Sequence, residues 1–139
     1  MSYVYNDGGR CESKPKFRKH VGDCVTRSIA IALQLDYGTV YKEMHRIQKK
    51  VHWNYRTPSQ GMCTYSKLFK RWMSKHKYKK VVIKQGGVKV KDLDYPNQRV
   101  IAYCNYKGRR HHYTAVVNNE IHDTWDCKDY NVDYVWVQR

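Results

Sequence analysis

The alternation of apolar and polar positions changes period near residue 79, and that change divides the chain. Before it, apolar residues recur at helical spacing. In "GDCVTRSIAIALQL", Val25, Ile29 and Ala32 or Leu33 make one stripe and Cys24, Ser28, Ile31 and Leu35 a second. The spacing predicts a helix buried on most sides, with Asp23 as N-cap aiming its carboxylate at backbone donors. Val40, Met44, Ile47 and Val51 then predict an amphipathic helix capped by Thr39, with Lys42, Arg46, Lys49 and Lys50 outside. A third helix is predicted from Cys63 to His76, burying Tyr65, Leu68, Phe69, Trp72 and Met73. Beyond residue 79 the runs "KVVIK", "VKV", "RVIAYCNY", "HHYTAVV", "EIHD" and "YVWVQ" alternate or are β-branched, and turn-formers separate them. Residues 1–21 carry "NDGGR" and "SKPKFRKH" without periodicity and read as an irregular arm. The expected architecture is α+β, one domain over 1–139, with a helical half (22–78) packed on an antiparallel sheet half (79–139).

Charge changes the picture. Twenty-seven Lys and Arg against twelve Asp and Glu give +15, and aromatics reach 14% in only 139 residues, so the chain is a basic globular domain rather than a disordered one. No acidic residue lies between Glu43 and Asp92. That interval holds Lys67, Lys70, Arg71, Lys75, Lys77, Lys79 and Lys80, a candidate surface for nucleic acid or an acidic protein, although no known nucleic-acid-binding signature accompanies it. No apolar run approaches the roughly twenty residues of a membrane span and no secretory leader is evident, so a cytoplasmic location with no membrane partner is expected. The oligomeric state is not legible.

Five cysteines, Cys11, Cys24, Cys63, Cys104 and Cys127, are odd in number and lack a CxxC pair, which fits free thiols. Cys63, Cys104 and Cys127 are expected to pack as small apolar groups. Zinc combinations such as Cys11, His20 and Cys24, or His122 and Cys127, have no recognised ligand spacing, so neither metal nor cofactor is expected. Cys24 is different because it starts a helix, where a thiolate is favoured if a histidine stands near. His20, His45, His52 and His76 fall on the arm, on basic helix surfaces or in a loop. The segment "HHYTAVVNNEIHDTW" predicts a hairpin turning at Asn118-Asn119, pairing Val117 with Glu120, Val116 with Ile121 and Ala115 with His122. Counting outward puts His112 on one face with Thr114, Val116, Ile121, Asp123 and Trp125, while His111 and His122 share the other. Asp123 becomes the orienting acid for His112, Trp125 its shield, and Asp126 a rival orienter on the wrong face.

These blocks carry a resemblance. "GDCVTRSIAIAL" resembles the catalytic-cysteine helix of papain-like cysteine peptidases, "HYTAV" is similar to their His-x-x-Ala-Val strand, and "DTW" to their Asn-Ser-Trp, with Asp for Asn. The nearest likeness is to small single-domain members found among bacteriophage proteins, which implies a viral origin and a host cytoplasm as the place of action. The resemblance implies Cys24 as nucleophile, His112 as general base and then acid, and Asp123 as the residue fixing the imidazole. It further implies a peptide, isopeptide or side-chain amide substrate and an oxyanion hole half made by the Cys24 N-H. The family's upstream amide is missing from "KFRKHVG"; Asn6, His20 or Lys19 are the candidates to replace it. The alternative is an inactive papain-like scaffold whose basic face binds nucleic acid or an acidic host protein as an inhibitor.

Overall fold

The computed structural model describes residues 1–13, 22–51 and 57–139. Its architecture is α+β. In chain order it has β1 (Ser2–Tyr5), a single helical turn α1 (Arg10–Ser13), α2 (Cys24–Leu33), α3 (Tyr37–Val51), α4 (Lys67–Lys75), β2 (Tyr78–Val82), β3 (Arg99–Tyr106), β4 (Arg109–Val117), β5 (Glu120–Asp123) and β6 (Asn131–Gln138). The strands form one sheet in the order β1-β5-β4-β3-β6-β2.

The expected sheet is corrected in two respects. The arm is not irregular throughout: Ser2–Tyr5 pairs parallel with β5, so the sheet is mixed and its first strand comes from the N-terminal end of the chain. "SYVY" is too short to show a strand period by itself, and β5 supplies the hydrogen bonds that fix it. "VKV" also departs from expectation, since Lys89 makes a lone bridge to Asn131 and Val90–Asp92 is a 3-10 turn. The hairpin register is as counted, with Val117, Val116 and Ala115 opposite Glu120, Ile121 and His122. Its turn residues Asn118 and Asn119 both have positive φ, the geometry an Asn-Asn pair tolerates.

α2 lies against one face of the sheet, where Val25, Ile29, Ala32, Ile101, Ala115 and Trp136 share a core with α3 and α4. The opposite face packs Val100, Ala102, Val116, Ile121 and Val135 under the 88–95 loop. Both stripes of α2 are buried, as a helix in contact with sheet and neighbouring helices requires. Arg99 on β3 donates from Nη2 to the carbonyl of Ile31 (2.7 Å) and from Nε to that of Ala32 (3.0 Å), capping acceptors the helix leaves open at its C-terminus. The two assigned caps move, and the third helix gains one. Asp36, not Thr39, caps α3 by accepting from the Thr39 N-H at 2.9 Å. Ser66 caps α4, accepting from the Phe69 N-H at 3.1 Å, because residues 58–60 form a 3-10 turn and delay the helix to Lys67. Tyr65 is therefore 76% exposed rather than core, while Phe69, Trp72 and Met73 are buried. Asp23 makes no side-chain cap at all. Among the described residues no helix is long and apolar enough to cross a membrane.

Gly22, just before α2, fixes where that helix begins. Its φ is +79°, and a Cβ there would meet the Ser59 carbonyl oxygen at 2.8 Å. Gly22→Ala should therefore lower stability by more than about 1 kcal/mol, measured by urea denaturation. A neutral effect would mean that the 57–61 loop does not press on the helix start as described.

Candidate functional site

The site forms where β4 and β5 part. Their pairing ends at Ala115 and His122, and beyond it the start of α2 fills the gap. Cys24 is half-buried at the first residue of α2, while His112 on β4 and Asp123 at the end of β5 are 7% and 2% exposed. His112 Nε2 and Asp123 Oδ2 are 2.6 Å apart. Cys127 Sγ lies within 4.8 Å of the imidazole and Asp123, and Cys24 lines the same two cavities as His112. Trp125 covers the ring, centroids 4.7 Å apart. Cys24, His112, Asp123 and Trp125 thus meet in one place. Asp126 does not join them; its carboxylate accepts from the Lys128 N-H at 3.2 Å.

Burial alone would strip the proton from His112. The hydrogen bond to Asp123 opposes this, joined by the two thiols and the Asp123 charge, and His112 is pushed up to about 12. Asp123 moves the other way. Burial tends to raise it, but the His112 hydrogen bond and the charges of His112 and Arg27 bring the carboxyl below its ordinary range. The pair is therefore an imidazolium and a carboxylate at neutral pH.

Arg27 and Asp23 complete an ionic chain that periodicity did not reveal. Asp23, fully buried, accepts from Arg10 Nη1 (3.1 and 3.3 Å), from Arg27 Nη1 and from the Tyr37 hydroxyl (2.8 Å). This is the reason it does not cap. Arg27 in turn donates from Nη2 to Asp123 Oδ1 at 3.1 Å, and the Thr124 N-H donates to the same oxygen at 2.7 Å. The chain runs Arg10, Asp23, Arg27, Asp123, His112, and joins both ends of the site. The signal for Arg27 is present in the sequence: a charged residue in the middle of a helix with two apolar stripes must be paired. Arg10, in the "NDGGR" turn, carries no comparable signal.

The proposed oxyanion donors are not supplied as expected. Asn6 Nδ2 is 3.2 Å from His122 Nδ1 and its Oδ1 accepts from the Gly8 N-H, so its amide is turned away from Cys24 and lines neither cavity beside it. His20 and Lys19 lie outside the described residues. Cys127 is more than filler. Cys104 beside it holds its thiol down to about 6 against burial, with His112 acting in the same direction. Cys104 itself is pushed well up.

Donor atoms of His112, Asp123 and Cys127 lie within 4.8 Å of one another, the ligand types of a zinc site. The 2.6 Å separation of Nε2 and Oδ2 is a hydrogen bond, shorter than the roughly 3.3 Å between two tetrahedral ligands at 2.0 Å from one zinc. As arranged, the pair shares a proton rather than a metal.

Two cavities meet at Gly22, Cys24, His111 and His112. One, about 340 Å³, is walled by Val25, Met62, Tyr65, Tyr103 and Tyr113. The other, about 310 Å³, is walled by Arg10, Arg27, Thr124 and Trp125. Lys67, Lys70, Arg71, Lys75, Lys77, Lys79 and Lys80 lie instead on α4, the turn after it and β2, the far edge of the sheet. All seven are exposed, and among the described residues none is ion-paired.

Asp123→Ala leaves Arg27 and His112 buried without their common acid and should cost about 3 to 5 kcal/mol. The lowered Asp123 contributes above its ordinary pKa near 3.8, and its share is lost as pH falls through the native value. The raised His112 contributes fully below 6.5, and its share fades as pH climbs toward about 12. The stability gap between wild type and variant should thus be widest near pH 4 to 6.5 and narrow on both sides. A gap independent of pH from 4 to 10, by denaturant titration, would contradict the ionic pair.

No protein-family model, curated protein or solved structure matches the chain, so its function rests on the chemistry of these side chains.

Proposed function

We propose that the protein is a papain-like thiol hydrolase acting on a peptide, isopeptide or side-chain amide. The observation that carries this reading is an imidazolium, held charged by a buried carboxylate, beside a half-buried thiol at the first turn of a helix.

The chemistry follows from those positions. Cys24, as thiolate at the start of α2, attacks the substrate carbonyl carbon. The tetrahedral oxyanion accepts from the Cys24 N-H. As it collapses, the C-N bond breaks and His112 gives its proton to the departing amine, leaving an acyl-thioester and a neutral imidazole. His112 then takes a proton from water, hydroxide adds to the thioester, and collapse returns the carboxylic acid and the thiolate. Asp123 keeps the ring in one orientation throughout, and Trp125 excludes water from the pair. An amine in place of water would make the same site a transferase. The resemblance at "GDCVTRSIAIAL", "HYTAV" and "DTW" supports the papain-like reading, as does an α+β arrangement with the thiol on a helix and the base on a strand. That likeness also favours action in a host cytoplasm.

A second reading has its own observation. Seven exposed cations on α4, the turn after it and β2, none in an ion pair among the described residues, suit an anionic partner, nucleic acid or an acidic protein, on a scaffold whose thiol is idle.

Iodoacetamide at pH 7 separates the two. Under the hydrolase reading Cys24 is alkylated about ten- to a hundredfold faster than an ordinary thiol of pKa near 8.5, as read by intact mass and peptide mapping. His112→Ala should abolish that advantage, while Cys24→Ala leaves the fold intact. If Cys24 reacts no faster than Cys11, and Lys70→Glu with Arg71→Glu and Lys75→Glu removes salt-dependent binding to nucleic acid, the second reading replaces the first.

A further inference from the structure

The cavity on the Trp125 side differs from its neighbour in one respect that the hydrolase reading does not use. Arg10, Arg27, His111 and His112 all line it, and among the described residues no carboxylate does. Among the described residues, Asp23 and Asp123 stand behind this wall, two carboxylates against two guanidiniums and the His112 ring. The hairpin that carries His111 is basic as well. His111 is exposed, and the strand before it carries Arg109 and Arg110, with Lys107 at the hairpin tip; all are exposed, and among the described residues none of these three is ion-paired. The whole β3–β4 hairpin, residues 99–117, contains no acidic residue. A solvated basic patch would need none of this arrangement, because its charges would point outward rather than wall a 310 Å³ hollow beside a nucleophile. The other cavity is walled by Val25, Met62 and three tyrosines, and offers apolar contact instead.

We propose that the Trp125-side cavity is an anion-receiving subsite, so that the substrate is a polypeptide with an acidic residue on one side of the reacting amide and an apolar or aromatic residue on the other. The carboxylate enters between Arg10 and His111, with its backbone running over Trp125, and the apolar side chain fills the space against Met62 and Tyr103. Both guanidiniums are already held by Asp23 and Asp123, so little side-chain entropy is lost when the carboxylate arrives. A basic residue in the same place would face His112 and both arginines and be rejected.

This inference rests on the hydrolase reading for the word substrate, but its binding test does not. Cys24→Ala protein is titrated calorimetrically with blocked peptides carrying phenylalanine on one side of a central amide and glutamate, glutamine or lysine on the other. The glutamate peptide should bind about tenfold tighter than the glutamine peptide, with the lysine peptide weakest, and the glutamate advantage should shrink from 50 to 500 mM salt. Arg10→Gln should erase most of that advantage. If that variant does not fold, His111→Glu, at an exposed position, should erase it as well. In parallel, wild-type protein is incubated with a peptide library and cut sites are mapped, with Asp and Glu expected to be enriched on one flank of the cleaved bond. Equal binding of the glutamate and glutamine peptides, no binding by any of the three, or cut sites without acidic enrichment would overturn the subsite. Tight glutamate binding with no cleavage and an unreactive Cys24 would retain the subsite and remove the hydrolase.

Discussion

Everything distinctive about this molecule depends on one buried row of alternating charges: Arg10, Asp23, Arg27, Asp123 and His112. Each charge has an opposite neighbour, which is the condition for keeping charged groups out of water. The row is also a set of mechanical ties. Arg27 reaches from one turn inside α2 to both aspartates, so the residue that begins the helix and the residue that ends β5 are held by one guanidinium. Cys24 stands beside the first and His112 beside the second. The placing of Cys24 relative to His112 is thereby tied to an ion pair as well as to packing.

The same row decides protonation. A histidine with so little exposure would ordinarily shed its proton; here a carboxylate 2.6 Å away, itself supported by Arg27 and the Thr124 N-H, keeps it. The charge that results faces two cavities of different chemistry, one aromatic and one cationic. Their walls are α2, β3, β4 and the segments that carry Arg10, Met62 and Trp125.

Much of this was legible beforehand because it depends on period and register. Alternation in "HHYTAVV" and a two-residue turn at Asn118-Asn119 were enough to bring His112 to Asp123 and Trp125, and the double stripe of α2 was enough to bury it. What escaped depends on contacts distant in sequence. Asp23 looked like a cap because a carboxylate before a helix usually is one; Arg10, Arg27 and Tyr37 bind it more strongly than a backbone N-H would. Four N-terminal residues became a strand only because β5 offered an open edge. Asn6 was assigned to the oxyanion from its place in the chain, yet His122 and the Gly8 N-H hold it elsewhere. Cys127 reaches His112 through the turns of the 124–130 loop, which no periodicity encodes.

The central claim is a buried imidazolium at residue 112, sustained by Asp123, and nuclear magnetic resonance of labelled histidine side chains reads it directly. The account requires the His112 ring to remain doubly protonated from pH 5 through at least pH 9, and to become neutral in that range once Asp123 is replaced by Asn. A His112 titration near the ordinary value of 6.5 in the wild-type protein would contradict it.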